Sequence, residues 1–185
     1  AMGRFGGREL GFSSDADVVY VVRDAGAGED TVSQGAELVR HLIDSVADLM
    51  FPFELDAGLR PEGKNGPLVR SLEAYQAYYA RWALGWEAQA LLRARDIVGD
   101  DALRAEFMTL ADTYRFPGSF PAEASTEIRR IKARVESERL PQGADPARHV
   151  KLGRGSLSDV EWLVQLLQLQ HGFRHPDLQR ADTLG

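Results

Sequence analysis

An α+β fold, with a small sheet followed by a bundle of helices, is what this sequence predicts, and three observations carry the prediction. A β-branched run, Val18-Val19-Tyr20-Val21-Val22, follows two carboxylates near the N-terminus. Alternation of apolar and acidic residues returns in Phe53-Glu54-Leu55-Asp56-Ala57. From Ser71 onward, apolar residues recur at helical spacing through most of the remaining chain.

The first strand is expected from Asp15 to Val22. Side chains alternate along a strand, so Asp15 and Asp17 share one face with their Cα atoms roughly 6.5 to 7 Å apart. Two like charges held that close raise the proton affinity of at least one of them unless a cation sits between them. A hard, oxygen-seeking ion such as Mg²⁺ fits that need. Taken alone, Ser13-Ser14-Asp15-x-Asp17 also reads as a polar loop.

After a polar turn at 24–30, Thr31 and Gln34 match a capping box, and the periodic Val39, Leu42, Ile43 and Val46 predict a helix of about 19 residues ending before Pro52. Phe53 to Gly58 forms the second strand, with Glu54 and Asp56 on the face turned to the first carboxylates; a merely solvated acidic face is the alternative. Leu59 to Pro67 is a glycine-punctuated loop carrying Arg60 and Lys64. Such a loop either brings amides and two cations to a phosphate chain or is a plain turn with solvated charges.

Ser71 is the expected N-cap of a long helix, kinked at Gly85, that carries Gln89, Arg93 and Arg95 and is ended by Gly99-Asp100. Its stripe Tyr75, Tyr79, Trp82 and Trp86 suits a core better than a ligand-stacking surface. A helix from Asp101 turns Leu103, Phe107, Leu110 and Tyr114 inward, and 116–121 breaks it. Between Ser125 and Leu140 the basic residues alternate with glutamates, which reads as a solvated helix face. His149 to Gly153 is expected as a short third strand, and Ser158 and Glu161 as the capping box of a last apolar helix.

With 185 residues and 44% hydrophobic content the chain can bury a real core. A net charge of −6 argues against broad adhesion to nucleic acid or to an anionic membrane. Without cysteine there is no disulfide frame, thiolate metal site or thiol nucleophile. No apolar run has membrane-spanning length and no signal peptide opens the chain, so a cytoplasmic location is expected. The abrupt ends read as those of a piece of a longer chain.

Three carboxylates on neighbouring strands, a glycine pair before them and a basic loop after them outline a nucleotidyl transfer site. Ser13, Ser14 and the Gly6-Gly7 backbone are candidates to hold a triphosphate, with the protein supplying positioning and charge stabilisation. No nucleophile elbow, P-loop or His-Glu-x-x-His pattern competes with this reading.

These residues carry a resemblance. Gly6-Gly7-x-Glu9-Leu10, Ser13-Ser14-Asp15-x-Asp17, Asp56-x-x-Leu59-Arg60-Pro61, Gly66-Pro67-Leu68-Val69, the run Trp86-Glu87-x-Gln89 to Arg95, and Ser158-Asp159-Val160-Glu161 are similar, in order, to glutamine synthetase adenylyltransferases. The resemblance implies a DNA polymerase β-like nucleotidyltransferase fold, with a catalytic core over 1–100 and a helical extension over 101–185. It implies Mg²⁺-dependent transfer of AMP from ATP to a tyrosine of glutamine synthetase under PII-type signalling proteins. On that basis Asp15, Asp17 and Asp56 form the catalytic metal triad. Gly6, Gly7 and Ser14 contact phosphates, while Lys151, Asp159 and Glu161 border the site. The family carries an adding and a removing domain in tandem, and the Trp86 run looks more like the adding one. Phosphorolytic removal of AMP and a non-catalytic nucleotide sensor are the alternatives. Gly58 departs from the family, standing where many members have arginine, and so does Gly155-Ser156, which replaces a glycine pair.

Overall fold

The computed structural model describes residues 1–12, 14–24, 26, 29–47, 53–82 and 85–183. Its sheet region is built from two parallel pairs. Ala16–Asp17 (β1) lies against Leu55–Asp56 (β3), and Tyr20–Val22 (β2) lies against Val69–Ser71 (β4). The run expected as one strand therefore divides at Val18-Val19. The Val18 amide still donates to the Asp56 carbonyl at 2.8 Å, and the chain then changes partner before Tyr20 pairs with Val69. Alternation holds across the carboxylates: Ala16 and Val18 are buried, while Asp15 is exposed and Asp17 half-buried on the other face.

Gly3–Gly6 forms a single helical turn (α1) ahead of β1, and the long helix Glu29–Val46 (α2) packs on β2 and β4. The helix α2 begins two residues before Thr31, so Thr31 and Gln34 lie inside it and do not cap it. Of the expected apolar face only part is covered: Val39 is buried, whereas Leu42 is 45% exposed. Leu49, Met50 and Pro52 lie outside the described residues.

The loop after β3 is braced from within. Arg60 donates to three carbonyls, those of Ala57 (2.7 Å), Gly66 (3.0 Å) and Lys64 (3.2 Å), around a short 3-10 turn at Gly63–Asn65. The guanidinium expected to meet phosphate thus commits three of its five N–H groups to the loop. Arg60→Ala should cost about 1–2 kcal/mol, since hydrogen bonds from a charged donor are lost in a half-buried setting. Urea unfolding of the two chains checks this; an unchanged midpoint would show the loop to be held by other contacts.

The helix expected from Ser71 to the Gly99-Asp100 stop is instead two helices, Leu72–Trp82 (α3) and Gly85–Leu91 (α4). Ser71 caps the first as expected, its hydroxyl accepting the Ala74 amide at 3.2 Å. Tyr75 and Tyr79 are buried, but Trp82 leaves the expected stripe and is 58% exposed, with the Arg81 guanidinium 4.8 Å from its ring centre. Beyond them come Asp101–Arg115 (α5), Ala122–Glu138 (α6) and Leu157–His171 (α7). The helix α5 is capped by the Asp100 carboxylate, which accepts the Leu103 amide at 2.8 Å.

Two apolar clusters make the core, and α4 with the turn that follows it is their common wall. Leu91 and Ala94 join Met2, Tyr75, Tyr79 and Phe107 on one side; Ala88 and Leu92 join Phe116, Ile128, Leu166 and Leu169 on the other. Arg115 closes the C-terminal end of α4 by donating to the carbonyls of Leu91 (3.2 Å) and Ala94 (2.8 Å).

Two further expectations are corrected between α6 and α7. Residues 149–153 form turns, not a third strand, held where the His149 imidazole accepts the Leu152 amide at 2.9 Å. The helix α7 starts at Leu157, so Ser158 and Glu161 form no capping box; Ser158 is buried and Glu161 pairs elsewhere. Among the described residues no helix is long and apolar enough to cross a membrane. A small sheet region followed by a multi-helix bundle is the α+β architecture the sequence predicts, consistent with a DNA polymerase β-like nucleotidyltransferase fold.

Candidate active site

The parallel register sets Asp17 directly opposite Asp56, which places their Cα atoms about 4.8 Å apart. Asp15, two residues before Asp17, is exposed on the side away from the buried Ala16 and Val18. The Asp17 carboxyl is pushed above its ordinary value, first by burial and then by the negative charges of Asp56 and Asp15, with Lys151 acting against them. That ordering brings four of the expected residues into one electrostatic neighbourhood. Three carboxylates that repel one another suit a hard divalent ion as their charge partner, so the donor chemistry fits Mg²⁺. Among the described residues, however, no three acidic or imidazole side chains close onto a single point.

Each strand aspartate is placed by a neighbouring glycine. A Cβ on Gly3, whose φ is +48°, would lie 2.1 Å from Asp17 Oδ2. The Gly58 amide donates to Asp56 Oδ1 at 2.7 Å, leaving Oδ2 of that carboxylate without a described partner. Gly58 thus supplies a backbone contact that orients the third carboxylate.

The glycine pair does not offer the expected amide cradle. The Gly6 and Gly7 amides donate to the carbonyls of Met2 (2.6 Å) and Gly3 (3.1 Å), so both are used within the α1 turn. Their missing side chains serve close packing: a Cβ on Gly6 would fall 1.7 Å from the Arg93 carbonyl oxygen. Ser14 is half-buried beside Gly11, and Ser13 lies outside the described residues.

Around this turn runs an ionic network that local sequence spacing did not reveal. Arg93, 6% exposed, donates to Glu9 at 2.8 Å and to the Thr183 hydroxyl, and stands 4.0 Å from Glu161. Glu161 also pairs with Arg4 at 3.1 Å, and Glu9 accepts the Thr183 amide at 2.6 Å. Arg95 donates to the carbonyls of Gly6 (2.9 Å) and Phe5 (3.1 Å). An arginine set in the apolar run Ala90-Leu91-Leu92-Arg93-Ala94 was the available signal in the sequence. Asp159 belongs to a separate cluster, bound by Lys132 and by the Gly155 amide at 2.5 Å. Lys64 is exposed on its loop.

Burial would raise the Glu9 carboxyl, but the Thr183 amide and hydroxyl and the Arg93 guanidinium together bring it below its ordinary value of 4.5. A depressed folded pKa adds stability that is present above 4.5 and is lost as pH falls through the folded value. Glu9→Gln should therefore lower the melting temperature at pH 7 and flatten its decline between pH 5 and 3. Melting curves across that range test this, and parallel curves for the two chains would contradict it.

Beside the carboxylates a cleft of about 430 Å³ opens between the sheet end and α4, α6 and α7. Gly3 and Gly58 line it on the carboxylate side, and Trp86, Gln89, Trp162 and Gln165 on the helical side.

A sequence profile of the glutamate-ammonia ligase adenylyltransferase family matches residues 1–110. The chain belongs to that family. It is 63% identical over 184 residues to the bifunctional glutamine synthetase adenylyltransferase/adenylyl-removing enzyme of Leifsonia xyli, covering 99% of this chain and 18% of that protein. The proteins of the same description from Mycobacterium bovis and Mycolicibacterium smegmatis are 53% and 54% identical, each over 99% of this chain and 19% of theirs. This chain therefore spans about a fifth of the length of these relatives.

Proposed function

We propose that this chain is an adenylyltransferase domain that moves AMP from ATP to a tyrosine of glutamine synthetase, with residues 1–100 as catalytic core and 101–185 as helical extension. The observation that carries it is the register pair Asp17 and Asp56, with Asp15 two residues before Asp17 and Lys151 close enough to act on Asp17. Asp15, Asp17 and Asp56 would hold Mg²⁺, which supplies charge neutralisation at the reacting phosphate when bound. The remaining work falls to the chain. Gly58 holds Asp56 so that its Oδ2 is free to take the tyrosine proton. The tyrosine oxygen bonds to the α-phosphorus, the bond to the β-phosphate bridging oxygen breaks, and pyrophosphate leaves. Ser14, Lys64 and Lys151 are the candidate donors to a triphosphate; Arg60 contributes only the N–H groups its loop leaves over.

The relatives are named for both adding and removing adenylyl groups, which favours one second reading: phosphorolytic removal of AMP through the same carboxylates. A PII-type signalling protein acting on the longer protein belongs to either reading. Intact mass of glutamine synthetase, incubated with this chain, ATP and Mg²⁺, tests the first; adenylylated synthetase with phosphate tests the second. A gain of one AMP per subunit is the expected result. Loss of AMP in the second reaction alone would replace the first reading, and no change in either would refute both.

A further inference from the structure

The cleft beside the carboxylates ends in an arrangement that the transfer chemistry does not use. Gln89 on α4, 6% exposed, donates from Nε2 to Oε1 of Gln165 on α7 at 2.7 Å. A side-chain amide has two donor hydrogens and an acceptor oxygen. The pair therefore leaves the Gln89 oxygen and the Gln165 nitrogen as an adjacent acceptor and donor, neither with another described partner. Both residues line the cleft, as do Trp86, one turn before Gln89, and Trp162, one turn before Gln165. A mostly apolar cavity with a few convergent polar groups, and a volume inside the roughly 300–1,000 Å³ typical of small-ligand sites, is built for a flat, partly polar molecule.

We propose that this amide pair and the two indoles hold the base of the nucleotide, reading the edge of adenine while the phosphates point to Asp17 and Asp56. The inference rests on the adenylyltransferase reading for the identity of the nucleotide. Adenine offers an exocyclic amine as donor beside the N1 acceptor, the complement of what Gln89 and Gln165 leave open. Indole faces supply a stacking surface for any base. The opposite wall of the cleft, at Gly3 and Gly58, touches the two strand aspartates, so base and phosphates lie along one continuous groove.

Nucleosides lack phosphate, so their binding tests the cleft apart from transfer. The chain has three tryptophans, and Trp82→Phe leaves Trp86 and Trp162 as its only tryptophans, read by excitation at the red edge where tyrosine does not absorb. In that background adenosine should quench fluorescence saturably and bind about tenfold more tightly than purine riboside, which lacks the amine. Gln165→Glu keeps an acceptor for Gln89 but turns the open donor into an acceptor, which suits the two adjacent donors of guanine. The ratio of guanosine to adenosine affinity should rise about tenfold in that variant. A residue that only joined α4 to α7 would move stability and leave this ratio alone. Equal affinity for adenosine and purine riboside, or an unmoved ratio, overturns the proposal. Selective adenosine binding without transfer of AMP would instead overturn the adenylyltransferase reading and leave the cleft's role standing.

Discussion

Asp17→Asn is expected to lower AMP transfer about 10³-fold or more while leaving the fold intact, because it removes the carboxylate that faces Asp56 across the strand pair. The same substitution relieves the metal-free chain. The Asp17 pKa is raised in the folded state, so its ionisation opposes folding as pH rises through the folded value. Below its ordinary value of 3.8 both states carry the proton and the penalty is absent. The variant should therefore melt at or above the wild-type temperature at pH 7 and match it near pH 3. Mg²⁺ with ATP should raise the melting temperature of the wild type and raise that of the variant less. A variant that keeps full transfer activity would remove Asp17 from the metal set, and one that melts well below wild type at pH 7 would show that its charge has a stabilising partner.

The carboxylate geometry was legible because it depends on a two-residue period and little else. Ala16 and Val18 are buried and Asp15 and Asp17 are not, as alternation requires. What pairs with what was not legible: nothing local to Val18-Val19 tells the chain to leave Asp56 and join Val69 two residues later. Both capping boxes, Thr31 with Gln34 and Ser158 with Glu161, fit the local rule, yet each lies inside a helix that starts before it. Glu161 is drawn to Arg4, 157 positions away in sequence, and α7 begins one residue before Ser158. The glycine pair misled for a related reason. Absence of a side chain signals close approach, but the sequence does not say whether a phosphate or a backbone makes it, and here the Arg93 carbonyl does.

That close approach makes Gly6→Ala the substitution with the largest expected effect on stability. The added methyl would fall 1.7 Å from the Arg93 carbonyl oxygen and 3.1 Å from that of Ala1. Neither obstacle is a flexible side-chain end, so the backbone after α4 would have to withdraw from α1. Withdrawal strains the Arg93 bonds to Glu9 and Thr183 and the Arg95 bonds to the carbonyls of Phe5 and Gly6, which all cross the same seam. Overpacking against fixed backbone with loss of such contacts should cost about 3 kcal/mol, a fall in melting temperature of about 6–12 °C for a chain of this size. Gly118→Ala is the matched control, since its Cβ would meet only the Phe173 ring at 3.8 Å. A similar small shift in both variants would mean that α1 and the end of α4 separate easily. The full shift in Gly6→Ala alone, with transfer activity falling alongside it, would tie the placement of Asp17 to this seam, because the α1 turn carries Gly3 against the Asp17 carboxylate and the Met2 amide donates to the Asp17 carbonyl at 2.8 Å.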